Sequence, residues 1–440
     1  MDVQTNKQPD FEIKERLWSG NSTLYTDEPI RSFVVEVELT SNVDGGILQE
    51  AVDDVLARAP YFADALVERD GTFYYAKNPL PFEVAEGSPR AIAGPETNWH
   101  CVDVTYEGTV MSFAMYHPYC DGLGLNIFIE ATLNRYFSRK DGVDYPAEGL
   151  RVPGQAQLPG EEADAISHGY DAELTPEMAE VLGRIRQKCY AIPEAAGEHL
   201  NCVHAMMVHI SEAKFIDFVR SCGSSPAPTL SAIMANTVFA VHPECDEPIT
   251  ALIPFSTRKA LGLPNTFKNT SNAAFIRFDP KEHASSSFAE VAQATRAALR
   301  SYTTPELIRF MANASHQSFA AADELKGFAA KRDALNRLSA YVAPISVDYV
   351  GGLRSEGFEE QIVDVRYLAM PVADINPGIS LFVTATAGAF NLMFARTMAT
   401  DVYDKAFLTQ LDELGIDYDV VGEMTYATPR SGLLQALGLA

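Results

Sequence analysis

Between Thr109 and Phe137 the hydrophobic period of the chain changes once, and the residues at the change are His117-Pro118-Tyr119-Cys120-Asp121-Gly122. Thr109–Tyr116, TVMSFAMY, reads as a strand. Ile127, Phe128, Ala131, Leu133 and Tyr136 mark a helix from about Leu125 to Phe137. A histidine where a strand stops can turn its ring into a cleft, and neutral imidazole is the commonest general base near neutral pH. Asp121-Gly122 makes a tight turn, because Gly122 accepts backbone angles closed to other residues. Asp121 can fold back onto that turn, cap the helix that follows, or pair with a cation.

The rest of the chain alternates strands and helices. Arg31–Thr40 reads as a strand and about Gly46–Arg58 as a helix ended by Pro60. Phe62–Glu68 and Gly71–Lys77 form a hairpin across Asp70-Gly71, and His100–Thr105 pairs with Thr109–Tyr116 across Glu107-Gly108. Asp141–Glu162, with Pro146, Pro153 and Pro159, is a crossover loop. A helical stretch over Thr175–Cys189 and a linker over Ala191–Leu200 follow. A second unit then begins: strand His204–Ser211, helices Glu212–Ser221 and Thr229–Val241, strand Ile249–Phe255, and an amphipathic helix over Ser286–Tyr302. Strand Ile345–Val350, a hairpin of Ile379–Ala385 and Phe390–Ala395 across Gly388, and helix Asp401–Gly415 close the chain. At 440 residues, against ~100–200 per domain, two units are expected, 1–195 and 196–440.

The net charge of −25, with no Lys/Arg-rich cluster, excludes a nucleic-acid partner and disfavours an anionic membrane. No apolar run reaches the ~18 residues that span a bilayer. The six cysteines form no CxxC pair and the N-terminal segment is polar, so a cytoplasmic protein with reduced thiols is expected. No metal is expected: His204 and His209 stand five apart on one strand, and no nearby thiol or carboxylate completes a ligand set. Cys120 is a poor nucleophile candidate, since residues three apart across a turn rarely meet in the geometry that pairing with His117 requires. Gly122 and Gly124 do not open a dinucleotide loop, because position 127 is Ile.

His117-x-x-x-Asp121-Gly122 resembles the motif of the chloramphenicol acetyltransferase-like superfamily, which includes condensation domains and alcohol acetyltransferases. Tyr116 stands where many members have a first histidine. RAPYFADALV, ALIPFSTRKALG with Arg258, SVDYVGGL and SLFVTATAGAFNLMFARTM are similar to further family segments, so the resemblance runs from about Ser32 to Leu414. It implies an α/β fold of two-layer sandwiches, two similar lobes in a V with a central tunnel. It also implies that His117 is the catalytic base and that Asp121 is structural, paired with Arg258. Asn269 and Asn272 both lie near the family's asparagine, and Asn272 aligns better as the oxyanion donor.

The function implied is acyl transfer from a thioester to a hydroxyl or amine acceptor. The plant branch's Asp-Phe-Gly-Trp-Gly motif and a phosphopantetheine attachment site are both missing, which points to a standalone enzyme. No bound cofactor is expected; acyl-CoA or an acyl carrier thioester is the co-substrate, and small-molecule donor and acceptor are the partners. Two alternatives stay open. One is carrier-dependent condensation, with an acyl carrier protein docking at a tunnel mouth. The other is an inactive binding protein of the same fold.

Overall fold

The computed structural model of the chain describes residues 7–20, 24, 32–185, 187–336, 343–369 and 378–439. In chain order the strands are β1 (Glu12–Arg16), β2 (Ser32–Leu39), β3 (Ala65–Arg69), β4 (Thr72–Lys77), β5 (Ala85–Glu86), β6 (Val102–Glu107), β7 (Val110–Tyr116), β8 (His199–Ser211), β9 (Ile249–Ser256), β10 (Ser271–Phe278), β11 (Ile345–Gly351), β12 (Ile362–Ala369), β13 (Ile379–Thr386), β14 (Ala389–Met398) and β15 (Asp419–Tyr426). They build a three-stranded sheet β1-β4-β3, a five-stranded sheet β12-β2-β7-β6-β5 and a seven-stranded sheet β10-β9-β11-β13-β14-β8-β15.

Turn chemistry sets the hairpins. Asp70 and Gly71 both take positive φ, 52° and 76°, the turn whose twist matches the strands it joins. Ala387 and Gly388 do the same at 53° and 78° between β13 and β14. β2 is buried along most of its length because it has neighbours on both edges, β12 and β7. The helix Gly45–Arg58 starts at Asp44, whose side chain accepts from the Gly46 and Ile47 amides, and buries Leu48, Ala51, Val52 and Val55.

The seven-stranded sheet has two different faces. Ile345, Val347, Leu381, Val383, Leu392 and Phe394 pack on one side with Leu230, Ile233 and Val238 of the helix Pro226–Val241. Alternate residues, among them Ala205, Phe382, Met393 and Ala395, belong instead to the core of the first half. Strand alternation therefore bonds the two halves face to face.

β12 crosses the boundary expected at 195/196. It comes from the second half but pairs antiparallel with β2 of the first, with Arg366 bonding Glu36 at 3.0 Å and Glu38 at 2.7 Å.

Several element bounds differ from expectation. The helix after the motif begins at Gly122 rather than Leu125, because Asp121 caps it. Phe62 lies in a single turn, Pro60–Ala63, so the strand starts at Ala65. β8 begins at His199, inside the expected linker. Arg31 and Arg186, within an expected strand and helix, lie outside the described residues.

Candidate active site

β7 ends at Tyr116, since Pro118 has no N–H for a ladder. The Tyr119 amide closes the turn onto the Tyr116 carbonyl at 2.8 Å. The turn is held from several sides. Tyr75 Oη donates to the Tyr119 carbonyl at 3.1 Å, and the Tyr119 ring packs 5.4 Å from both Tyr75 and Phe267. A Cβ on Gly20 would run into the Pro118 carbonyl, and one on Gly124 into the Phe267 carbonyl. Both glycines thus permit close backbone approach.

Asp121 caps the helix and pairs with a cation at once. Its Oδ1 accepts from the Gly124 amide at 2.8 Å and from Arg258 Nη2 at 2.7 Å. Its Oδ2 accepts from Arg258 Nη1 and from the Thr270 amide, both at 2.8 Å. Arg258 spends its remaining donors on the Thr266 and Lys268 carbonyls and on the Ser256 and Thr270 hydroxyls. Burial opposes the Asp121 charge, yet the Arg258 guanidinium and the backbone amides outweigh it and hold the carboxyl below its usual range.

His117 is half-buried, with the Phe33 ring edge-on at 5.2 Å. Its Nδ1 lies 3.2 Å from the Cys120 carbonyl. A carbonyl only accepts, so Nδ1 carries the proton in that bond. The Asn269 amide, 3.4 Å from Nδ1, then donates to the His117 carbonyl at 3.3 Å instead. This tautomer leaves the basic lone pair on Nε2.

The two asparagines separate cleanly. Asn269 lies against His117, and its Oδ1 accepts from the Ser271 amide at 3.0 Å. Asn272, three residues on and inside β10 opposite Phe255, turns its amide to Met311 Sδ at 3.8 Å. The structure thus brings His117, Asp121, Gly122, Arg258 and Asn269 together, while Asn272 points to the helix Pro305–Asp323.

Cys120 is wholly buried, and burial followed by the Asp121 charge pushes its thiol well above the ordinary range. No thiolate nucleophile forms there. His204 and His209 lie 3.5 Å from Glu423 and 3.9 Å from Asp364, two separate partners. Among the described residues no three His, Cys, Asp or Glu side chains gather as metal ligands.

One side chain near the motif was not singled out from sequence: Asp348 of β11. The available signal is a carboxylate in the interior of a strand, ISVDYVG, where Asp is depleted.

No protein-family profile matches the chain, and no curated protein matches it by sequence. Solved structures do match. Polyketide synthase associated protein 5 from Mycobacterium tuberculosis superposes with a TM-score of 0.63 at 16% identity, over 91% of this chain and 98% of that one. The first condensation domain of the calcium-dependent antibiotic synthetase, in complex with a substrate analogue, gives 0.63 at 15% identity, over 93% and 97%. TRI101 of F. sporotrichioides, complexed with coenzyme A and T-2, gives 0.59 at 11% identity, over 92% and 99%. At such identities the likeness is one of fold, and it spans nearly the whole of each chain. The chain has the fold that these structures share.

Proposed function

We propose that the chain is an acyltransferase that moves an acyl group from a thioester directly to a hydroxyl or amine acceptor. The observation that carries this reading is the contact of His117 Nδ1 with the Cys120 carbonyl, beside the rigid Asp121–Arg258 pair. His117 Nε2 takes the proton of the acceptor O–H or N–H as the heteroatom attacks the thioester carbonyl. The tetrahedral intermediate collapses with cleavage of the C–S bond, and His117 returns the proton to the departing thiolate. No acyl-enzyme is required. Asn269, rather than Asn272, is the asparagine at His117 and the better candidate to steady that ring or the developing oxyanion. Coenzyme A in the TRI101 complex supports a free acyl-CoA as donor. The reading is of a cytoplasmic enzyme: all six cysteines are free, and among the described residues no helix is long and apolar enough to cross a membrane.

The test is thiol release from a panel of acyl-CoA and carrier-bound thioesters, with mixed alcohol and amine acceptors. Wild type should release thiol, and His117→Ala should lower the rate ~100-fold or more, the scale of a lost general base. Asn269→Ala should lower kcat well beyond Asn272→Ala. Undiminished release by His117→Ala would remove the assigned base, and equal effects of the two asparagine variants would remove the assignment of Asn269.

A further inference from the structure

Ile345 and Val347 of β11 are buried in the helix-covered core, so Ser346, Asp348 and Val350 face the first half of the chain. Ser346 Oγ donates to Ser380 Oγ of β13 at 2.8 Å. At Val350 the strand reaches the motif: a Cβ on Gly122 would lie 3.3 Å from Val350 Cγ1 and 3.6 Å from the Tyr367 hydroxyl. Asp348 stands between these two contacts, level with Phe382 of β13.

The Asp348 carboxyl lies deep in the protein, yet part of the residue remains accessible. No hydrogen bond or ion pair ties it to any other described residue. Two titratable groups interact with it. Asp121 acts on it from the helix start, with Arg258 committed to Asp121, and Tyr367 faces it from β12. The Tyr367 ring packs 5.7 Å from Phe382 and 5.2 Å from Phe33, which in turn meets His117 edge-on. An aromatic wall therefore runs from the carboxylate to the imidazole.

An unpaired carboxylate inside a protein is costly, and such groups are normally neutralised by a partner. Burial first, and then the Asp121 charge, push this carboxyl up to about 7. An anionic ligand would meet two carboxylates and no uncommitted N–H of Arg258. A neutral ligand would leave the carboxylate uncompensated. A cation would complete its ionisation, and the chain's net charge of −25 draws cations toward it. We propose that Asp348 is the acceptor-recognition residue, pairing with the ammonium group of an acceptor that carries a basic amine. The inference rests on the acyl-transfer reading for the word acceptor, but its binding chemistry stands apart from turnover.

The test is calorimetric binding of matched probes, phenethylammonium against 2-phenylethanol and hexylammonium against hexanol, to wild type, Asp348→Asn and Asp348→Ser at pH 8. Wild type should prefer each ammonium ion to its alcohol. Both variants should lose that preference by roughly 10- to 100-fold, the range for a hydrogen bond to a charged group. Equal binding of ammonium and alcohol by wild type, or a preference that survives in both variants, overturns the proposal. Thermal denaturation provides a second readout. The carboxyl is raised in the folded protein, so its ionisation opposes folding as pH rises toward and through about 7. Asp348→Asn should match wild type near pH 4 and melt higher at pH 8; a lower Tm at pH 8 overturns the premise that the carboxylate is unpaired. Binding needs no catalysis, so ammonium preference without thiol release rejects acyl transfer and keeps the cation site, and the converse rejects only the cation site.

Discussion

At the scale of the residue, Asp121 is bonded at both oxygens and is 4% exposed. Removing it strands the buried Arg258 guanidinium, a loss of about 3–5 kcal/mol. Asp121→Ala should therefore lower the urea midpoint as much as it lowers turnover; a wild-type midpoint with abolished activity would assign Asp121 to chemistry instead. The pH dependence has a definite sign. The carboxyl is depressed in the folded state, so its contribution is fully present above the ordinary carboxylate range. It disappears as pH falls through the folded value, and the stability gap between wild type and variant should narrow in acid. Asp121 was readable from its place before Gly122, but its depth was not, because the donors that surround it come from residues 258 and 270.

At the scale of the element, the helix Gly122–Asp141 approaches the strip 266–270 of the second half through Gly124, which has no side chain to hold the two backbones apart. Gly124→Ala should force them apart, cost about 1–3 kcal/mol, and disturb the Asp121 bonds to the Gly124 and Thr270 amides. Thermal denaturation together with thiol release checks this; an unchanged Tm would mean that the strip yields freely. The same scale shows which elements sequence can reveal. The strand–turn–helix around the motif and the hairpins at Asp70-Gly71 and Gly388 were legible because their signals lie within a few residues. β1 (EIKER) and β15 (DVVGEMTY) were not, because edge strands show mixed, mostly solvated faces without clean alternation. The helix Pro305–Asp323 was hidden by its many small and polar residues.

At the scale of the whole molecule, β12 supplies the edge strand of the first half's sheet, and one face of the seven-stranded sheet completes the first half's core. Residues 1–195 and 196–440 expressed apart should therefore fail to melt cooperatively, since the first would expose the edge of β2 and the second the inner face of its sheet. Co-expression should restore a complex. Two separately soluble halves with sharp thermal transitions, measured by circular dichroism and size exclusion, would show that each half closes its own core. β12 escaped the sequence reading for a related reason. Asp364 and Arg366 break its apolar run, and the arginine finds its nearest carboxylates, Glu36 and Glu38, on β2.

The sequence by itself determined what local backbone preference and chemistry can encode. It located the turn that ends β7, the imidazole placed there, the aspartate that caps the next helix, and, through family resemblance, the arginine 137 residues away that pairs with it. Tertiary structure alone decided which asparagine meets His117, because three positions separate a residue before β10 from one inside it and facing a helix. It also decided that Asp348 is left without a partner among the described residues, and that β12 serves the other half's sheet. Each of those outcomes depends on contacts between residues far apart in the chain, whose energies arise only once the two halves pack, and no local pattern carries them.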